Sequence, residues 1–203
     1  MRTMILSISM LFGLAIASVF AQTSNETRKV EDFSSLNISS VGSIIFTQSD
    51  ECTVKLEGTD RLVKNITTTV TDGTLFVGMI NGSIKTNRTN DLKVYITAPD
   101  IKQLIFSGVG SFSSYEAVTL EGDLAIDVQG VGKVDIKELK CHNLNFSLNG
   151  VGSSFIRVEC NHLDAAVNGV GSASFNGTAR TANFNKSGVG SINRRYFKVG
   201  GDE

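Results

Sequence analysis

The sequence predicts an all-β solenoid, a parallel β-helix wound from coils of about 20 residues. Three observations predict it. A Gly-Val-Gly phrase recurs five times at near-constant spacing. Period-2 alternation of apolar and polar residues precedes each copy in the same register. Between the strand-like runs there is no apolar stripe of helical period.

Taken in chain order, residues 1–21 read as a secretory signal peptide. Arg2 supplies the charged start, Ile5 to Phe20 is almost wholly apolar, and Val19 and Ala21 suit a cleavage site after Ala21. An uncleaved membrane anchor is the alternative. No cysteine follows the apolar run to carry a lipid, and the mature chain has no run long enough to span a bilayer. Residues 22–203 are therefore expected to be exported, to the periplasm, to the outer-membrane surface or into the medium, and to form a single β-helix domain.

Residues 30–100 alternate without the full glycine phrase. Phe33 to Phe46 alternates, as does the run from Cys52. Asp72-Gly73 separates two alternating runs, a hairpin signal. Leu92 to Asp100, with the lone Pro99, closes the section, and Val41-Gly42-Ser43 resembles a degenerate corner. Stacked strands leave open ends that invite pairing with other chains. This section is expected to be less regular coils or a strand layer capping the stack.

Residues 101–192 are the regular coils. The first glycines of the phrases are Gly108, Gly130, Gly150, Gly169 and Gly188. Aligned on them, Leu124, Leu144 and Leu163 share one column. Leu104, Ile126, Phe146, Ala165 and Phe184 share a second, and Phe106, Val128, Leu148 and Val167 a third. Second alternating runs follow the glycines, as at Val134 and Ile136 or Ile156 and Val158. One such unit cannot bury its apolar face alone, but coils stacked about 4.8 Å apart can.

The glycines read as corners, where the backbone needs positive φ or a bulge. Gly110, Gly132, Gly152, Gly171 and Gly190 complete the pairs. The valines between them (Val109, Val131, Val151, Val170 and Val189) are expected to point inward and stack. Asn149 over Asn168 is expected to form an amide ladder that satisfies corner backbone groups. Lys186 interrupts the third column, so either the last coil is exposed or the charged tail, 193–203, folds over it.

Other readings of the glycines fail on spacing. A phosphate-binding loop ending at Gly132-Lys133 needs glycine where Asp127 stands and Ser or Thr where Val134 stands. A dinucleotide fingerprint needs a third glycine and a following helix. Calcium-binding β-roll repeats need a periodic aspartate beside the glycines. A net charge of −1 gives no reason to expect nucleic acid as partner.

The order of these features resembles a known family. It runs from a signal peptide, through an opening strand at Phe33, Leu36 and Ile38 and the segment Leu92 to Leu104, to a train of glycine corners. It is similar to the bacterial envelope family called putative auto-transporter adhesin, head GIN domain, over roughly Val30 to Ile192. Members usually carry Gly-Ser-Gly where this chain carries Gly-Val-Gly. The resemblance implies a right-handed parallel β-helix exported by Bacteroidetes-type bacteria. It brings no catalytic residues and no cofactor.

Chemistry-bearing residues are few. Cys141 and Cys160 each precede their coil's leading leucine by three residues and should stack on adjacent coils, with His142 and His162 close behind. Two thiols and two imidazoles can hold zinc. A cross-coil disulfide and a buried thiol ladder are the alternatives. Cys52 reads as a lone buried thiol. The acids Asp123, Asp127, Asp135, Glu138, Glu159 and Asp164 fall at scattered registers, so no catalytic carboxylate pair is expected. The function expected is a non-enzymatic, adhesin-like envelope or secreted module that binds a glycan or a surface protein. The alternatives are a polysaccharide-binding or polysaccharide-degrading β-helix and a purely structural envelope protein.

Overall fold

The structure, a computed structural model, describes residues 23–80 and 92–200. The expected signal peptide lies outside the described residues. Of the described residues 75% are strand and 3% helix, and the parallel coils stack into a β-solenoid of about five turns.

Each coil is two strands joined by a glycine corner. β2 (Ser35–Ile38) turns into β3 (Val41–Gln48), β8 (Gln103–Phe106) into β9 (Val109–Thr119), and β10 (Leu124–Val128) into β11 (Val131–Lys140). β12 (Asn143–Leu148) turns into the long β13 (Val151–Val167), followed by β14 (Val170–Lys186) and β15 (Val189–Val199). Two walls result. β3, β9, β11 and the first half of β13 pair in parallel on one wall; β2, β8, β10, β12 and the second half of β13 pair on the other. β13 and β14 run through both walls, which makes them continuous at this end of the stack.

The columns read from the sequence are in register. Leu124 faces Leu144, which faces Leu163. Ile126, Phe146, Ala165 and Phe184 stack in turn, and Phe146, Phe175 and Phe184 make ring contacts at 5.3 and 6.1 Å between centroids. On the opposite wall Ile136 faces Ile156. An extra residue in β11 then shifts the register, so that Leu139 rather than Glu138 faces Val158. That bulge keeps the apolar residue on the core side.

The N-terminal section is a cap built on true coils. Val41, Gly42 and Ser43 pair with Val109, Gly110 and Ser111, so the degenerate phrase is a corner like the rest. β6 (Thr74–Met79) and β7 (Leu92–Ala98) come later in sequence but form the rung beneath β2 and β3. Antiparallel strands then close both walls. β4 (Thr53–Thr59) and β1 (Thr23–Lys29) cover β7, and β5 (Ile66–Thr71) covers β6. The β5–β6 turn is the Asp72-Gly73 hairpin, with φ of 49° and 70°, the left-handed pair that a tight hairpin needs. One element escapes the sequence reading. Asp60–Lys64 forms a short helix, α1, burying Leu62 and Val63 and tied by a Lys64–Asp60 ion pair of 2.7 Å.

Candidate interaction surface and thiol pair

The corner positions two kinds of side chain, and the structure reverses one expectation about them. The valines point outward: Val109 is 43% exposed, Val151 47% and Val189 75%. Alternation explains it. Val128, Gly130 and Val134 lie on the buried phase, two or four positions apart, while Gln129, Val131 and Lys133 lie on the outward phase between them. The coil turns without breaking the two-residue period, so the glycines, not the valines, take the inward positions.

The first glycines are required by close approach rather than by φ. Their backbone is not in the left-handed region. A Cβ on Gly150, however, would fall well inside 3.0 Å of the Gly130 carbonyl oxygen, and Gly130, Gly169 and Gly188 repeat the geometry. At the second glycine of three corners, Gly110, Gly152 and Gly171, both causes act. Gly171 has φ of 149°, and a Cβ there would strike the Gly152 carbonyl oxygen.

The result is an outward column of methyl groups. Val41, Val109, Val131, Val151, Val170 and Val189 stand one above another in strict register. Beside it runs a polar ladder. Asn149 Nδ2 donates to Asp127 Oδ1 at 2.8 Å, Asn168 Nδ2 to Asn149 Oδ1 at 3.0 Å, and Ser187 Oγ to Asn168 Oδ1 at 2.8 Å. The expected amide ladder is there, but it does not serve the corner backbone. Those N–H groups donate to carbonyls of the preceding coil instead, as Asn149 N does to Val128 O at 2.8 Å. On the other flank stand Ser111, Lys133, Ser153, Ser172 and Ser191, with Lys133 Nζ held to Asp135 Oδ2 at 2.6 Å. Sequence reasoning missed the valine column as a surface, although parity along the strand carried the signal.

At the opposite corner the two cysteines meet. Lys140 faces Glu159, Cys141 N donates to Glu159 O at 3.2 Å, and Asn143 faces His162, which sets Cys141 against Cys160 on the next rung. Their thiols lie close enough to perturb each other's ionisation. That contact, and then burial, pushes the Cys141 thiol far above the usual range. The same contact draws the Cys160 thiol below its usual value, against burial. Both line a surface cleft of about 500 Å³ together with Glu121, Lys140, Ala179 and Arg180.

Of the two histidines only His142 lines that cleft beside the thiols. His142 Nδ1 bonds Asn161 Nδ2 at 3.0 Å, while His162 Nδ1 bonds Thr181 Oγ1 at 2.7 Å, further along the next coil. Among the described residues no group of three or more His, Cys, Asp or Glu is placed to hold a metal ion. Cys52 is half-buried, its sulfur 4.0 Å from the Phe33 carbonyl oxygen.

The carboxylates are engaged locally rather than gathered. Asp123 accepts from Asn143, Asp127 from Gln129 and Asn149, and Glu159 pairs with Lys140 at 3.2 Å.

With the geometry established, comparison with known proteins places the chain. The model of the family described as "Putative auto-transporter adhesin, head GIN domain" matches residues 32–200. Among solved structures, a putative adhesin from Bacteroides fragilis is 29% identical with a TM-score of 0.66, covering 85% of this chain and 96% of that one. A putative lipid binding protein from Parabacteroides distasonis shares the fold at 20% identity and a TM-score of 0.74, covering 87% of this chain and 75% of that one. A putative adhesin from the same species shares it at 14% identity and a TM-score of 0.55, covering 85% and 97%. No curated protein matches. No helix among the described residues is long and apolar enough to cross a membrane. The match over nearly all the described residues, on a fold that its solved relatives share, means that this chain belongs to the auto-transporter adhesin, head GIN domain family.

Proposed function

We propose that the chain is an exported, non-enzymatic adhesin-like module that uses the glycine-corner face to bind a surface glycan. The observation that carries the reading is the outward valine column with its two hydrogen-bonding flanks. Valine methyls present an apolar strip to the C–H face of a sugar ring. The amide and hydroxyl ladders offer donors and acceptors to its hydroxyl groups. The pattern repeats at every rung, about 4.8 Å apart, which suits a repeating, largely uncharged polymer lying along the axis. The single cation in the serine column, Lys133, is neutralised by Asp135. Each contact is weak, and affinity comes from many acting together on a rigid support.

The test is a glycan array probed with residues 22–203, followed by a turnover assay on every hit. Binding without turnover is expected. A Val131→Ser, Val151→Ser, Val170→Ser variant should lose binding while keeping its circular dichroism and nearly its Tm, because those side chains already face water. Turnover of a bound glycan would make the chain a degrading enzyme. Absence of binding to any glycan would leave a structural envelope role, and unchanged binding by the variant would move the site elsewhere.

A further inference from the structure

We propose that Cys141 and Cys160 form a two-thiolate site for a soft, closed-shell monovalent cation, with Cu(I) as the type ion. The argument is geometric and independent of the glycan reading. The two residues are in register on adjacent parallel rungs, so their Cα–Cβ bonds run side by side. Rung spacing then holds the Cβ atoms about 4.8 Å apart. A disulfide needs them within about 3.5–4.5 Å, so closing one draws the two rungs together locally. A bridging metal ion needs no such movement. Two metal–sulfur bonds of about 2.3 Å each, set in line, span about 4.6 Å between the sulfurs, a separation that side-chain rotation alone can reach on adjacent rungs.

The surroundings select the kind of ion. Thiolates favour soft cations, and a four-coordinate zinc lacks its other ligands here. Among the described residues no group of three or more His, Cys, Asp or Glu is placed to hold an ion, so the two thiols have no further ligands to complete a tetrahedral site. Access comes from the cleft of about 500 Å³. Above Cys160 the column continues with Ala179, whose single methyl leaves room; below Cys141 it is closed by buried Leu120. Binding releases the two thiol protons to solvent and leaves a complex of charge −1; Arg180 lines the cleft beside it, while Lys140 is already paired with Glu159. No electron is transferred.

The experiment is anaerobic titration of the reduced mature protein with Cu(I) delivered from its bicinchoninate complex. One copper per chain should be withdrawn from the chelator, and X-ray absorption should show sulfur ligands alone. Cys141→Ser and Cys160→Ser, each confirmed folded, should abolish retention. Cys52→Ser and His142→Ala should leave it unchanged. The proposal is overturned if the double serine variant still withdraws copper, if the reduced wild type withdraws none, or if a nitrogen ligand appears. It is equally overturned if oxidised glutathione converts the pair quantitatively to a disulfide, because that bond requires the rung movement argued against here.

Discussion

The two ends of the solenoid are finished by different physics. At the N-terminal end, antiparallel β4 and β1 cover one wall and β5 the other. Arg28 of β1 reaches across the gap, its Nη1 donating to Ile66 O at 2.7 Å and its Nη2 to Val63 O at 3.3 Å. Leu56, Leu75 and Val94 beneath are fully buried. At the C-terminal end nothing described lies beyond β15 and the second half of β14. Ile192, Phe184 and Phe197 are only partly buried, and Tyr196 is exposed. There Arg194 stands 5.1 Å from the Phe184 ring centroid, with the Phe197 ring 5.9 Å away. The difference teaches how a repeat with no intrinsic length limit stops. One end reverses strand direction, so the next coil finds no parallel partner in phase. The other keeps the parallel edge but makes it charged and poorly apolar.

The largest effect should come from one substitution placed at two heights. In Gly152→Ala the new Cβ meets the Gly132 carbonyl oxygen, in a residue locked between two coils. The cost should exceed about 4 kcal/mol, enough to abolish cooperative unfolding in urea. Gly190→Ala makes the same clash with Gly171, but only one neighbouring coil holds it, so the last rung can move away. Its midpoint should fall by less than half as much. Equal losses at both heights would mean that the C-terminal coil is as firmly held as the middle.

Core truncation gives the next step down. Leu56→Ala, under the antiparallel cap, should cost about 2–5 kcal/mol. Phe197→Ala removes a larger but half-exposed side chain and should cost about 1 kcal/mol, because much of its area already meets water. Native-state hydrogen exchange should show the same slope, with β15 amides opening first and β3 and β7 amides last. Uniform protection along the axis would remove the distinction between the ends.

What the sequence made legible follows the same divide. In the regular coils, period and parity are local, so the Leu124, Leu144 and Leu163 column and the Cys141–Cys160 juxtaposition could be read before any coordinates. The misreading of the valines as inward came from setting parity aside at a corner. In the cap, the decisive pairings are non-local. Nothing near Leu75 or Val94 says that their strands slide beneath β2 and β3, and β4 alternates identically whether its partner runs parallel or antiparallel. α1 is too short, at five residues, to show a helical period. The thiol cleft was half legible: register placed the sulfurs together, but the directions of the imidazoles depend on Asn161 and Thr181 one coil on.

The arginines that finish each end should differ more modestly. Arg28→Ala leaves two partly buried carbonyls without their donor and should cost about 1–3 kcal/mol. Arg194→Ala removes a solvent-exposed ring contact and should cost less than about 1 kcal/mol. Thermal unfolding of the pair against wild type reads both, and a larger loss from Arg194 would reverse the assignment of the stronger cap.

The smallest change in stability should carry the clearest change in behaviour. Lys186 occupies the last place of the column that runs Val128, Leu148, Val167, and its Nζ bonds Gly190 O at 3.3 Å on the exposed end. Lys186→Leu should alter unfolding by no more than about 0.5 kcal/mol, as for other surface positions. It also completes the apolar column at an open parallel edge, which is the template that edge charges protect. Sedimentation velocity should then show concentration-dependent association that wild type lacks. Thr69→Leu on β5, at the antiparallel end, should leave the chain in the wild-type state, because that edge offers no parallel register to a second copy. If Lys186→Leu sediments as wild type at every concentration, charge is not what stops the stack at this end, and the ring cover from Phe197 and Arg194 must do so instead.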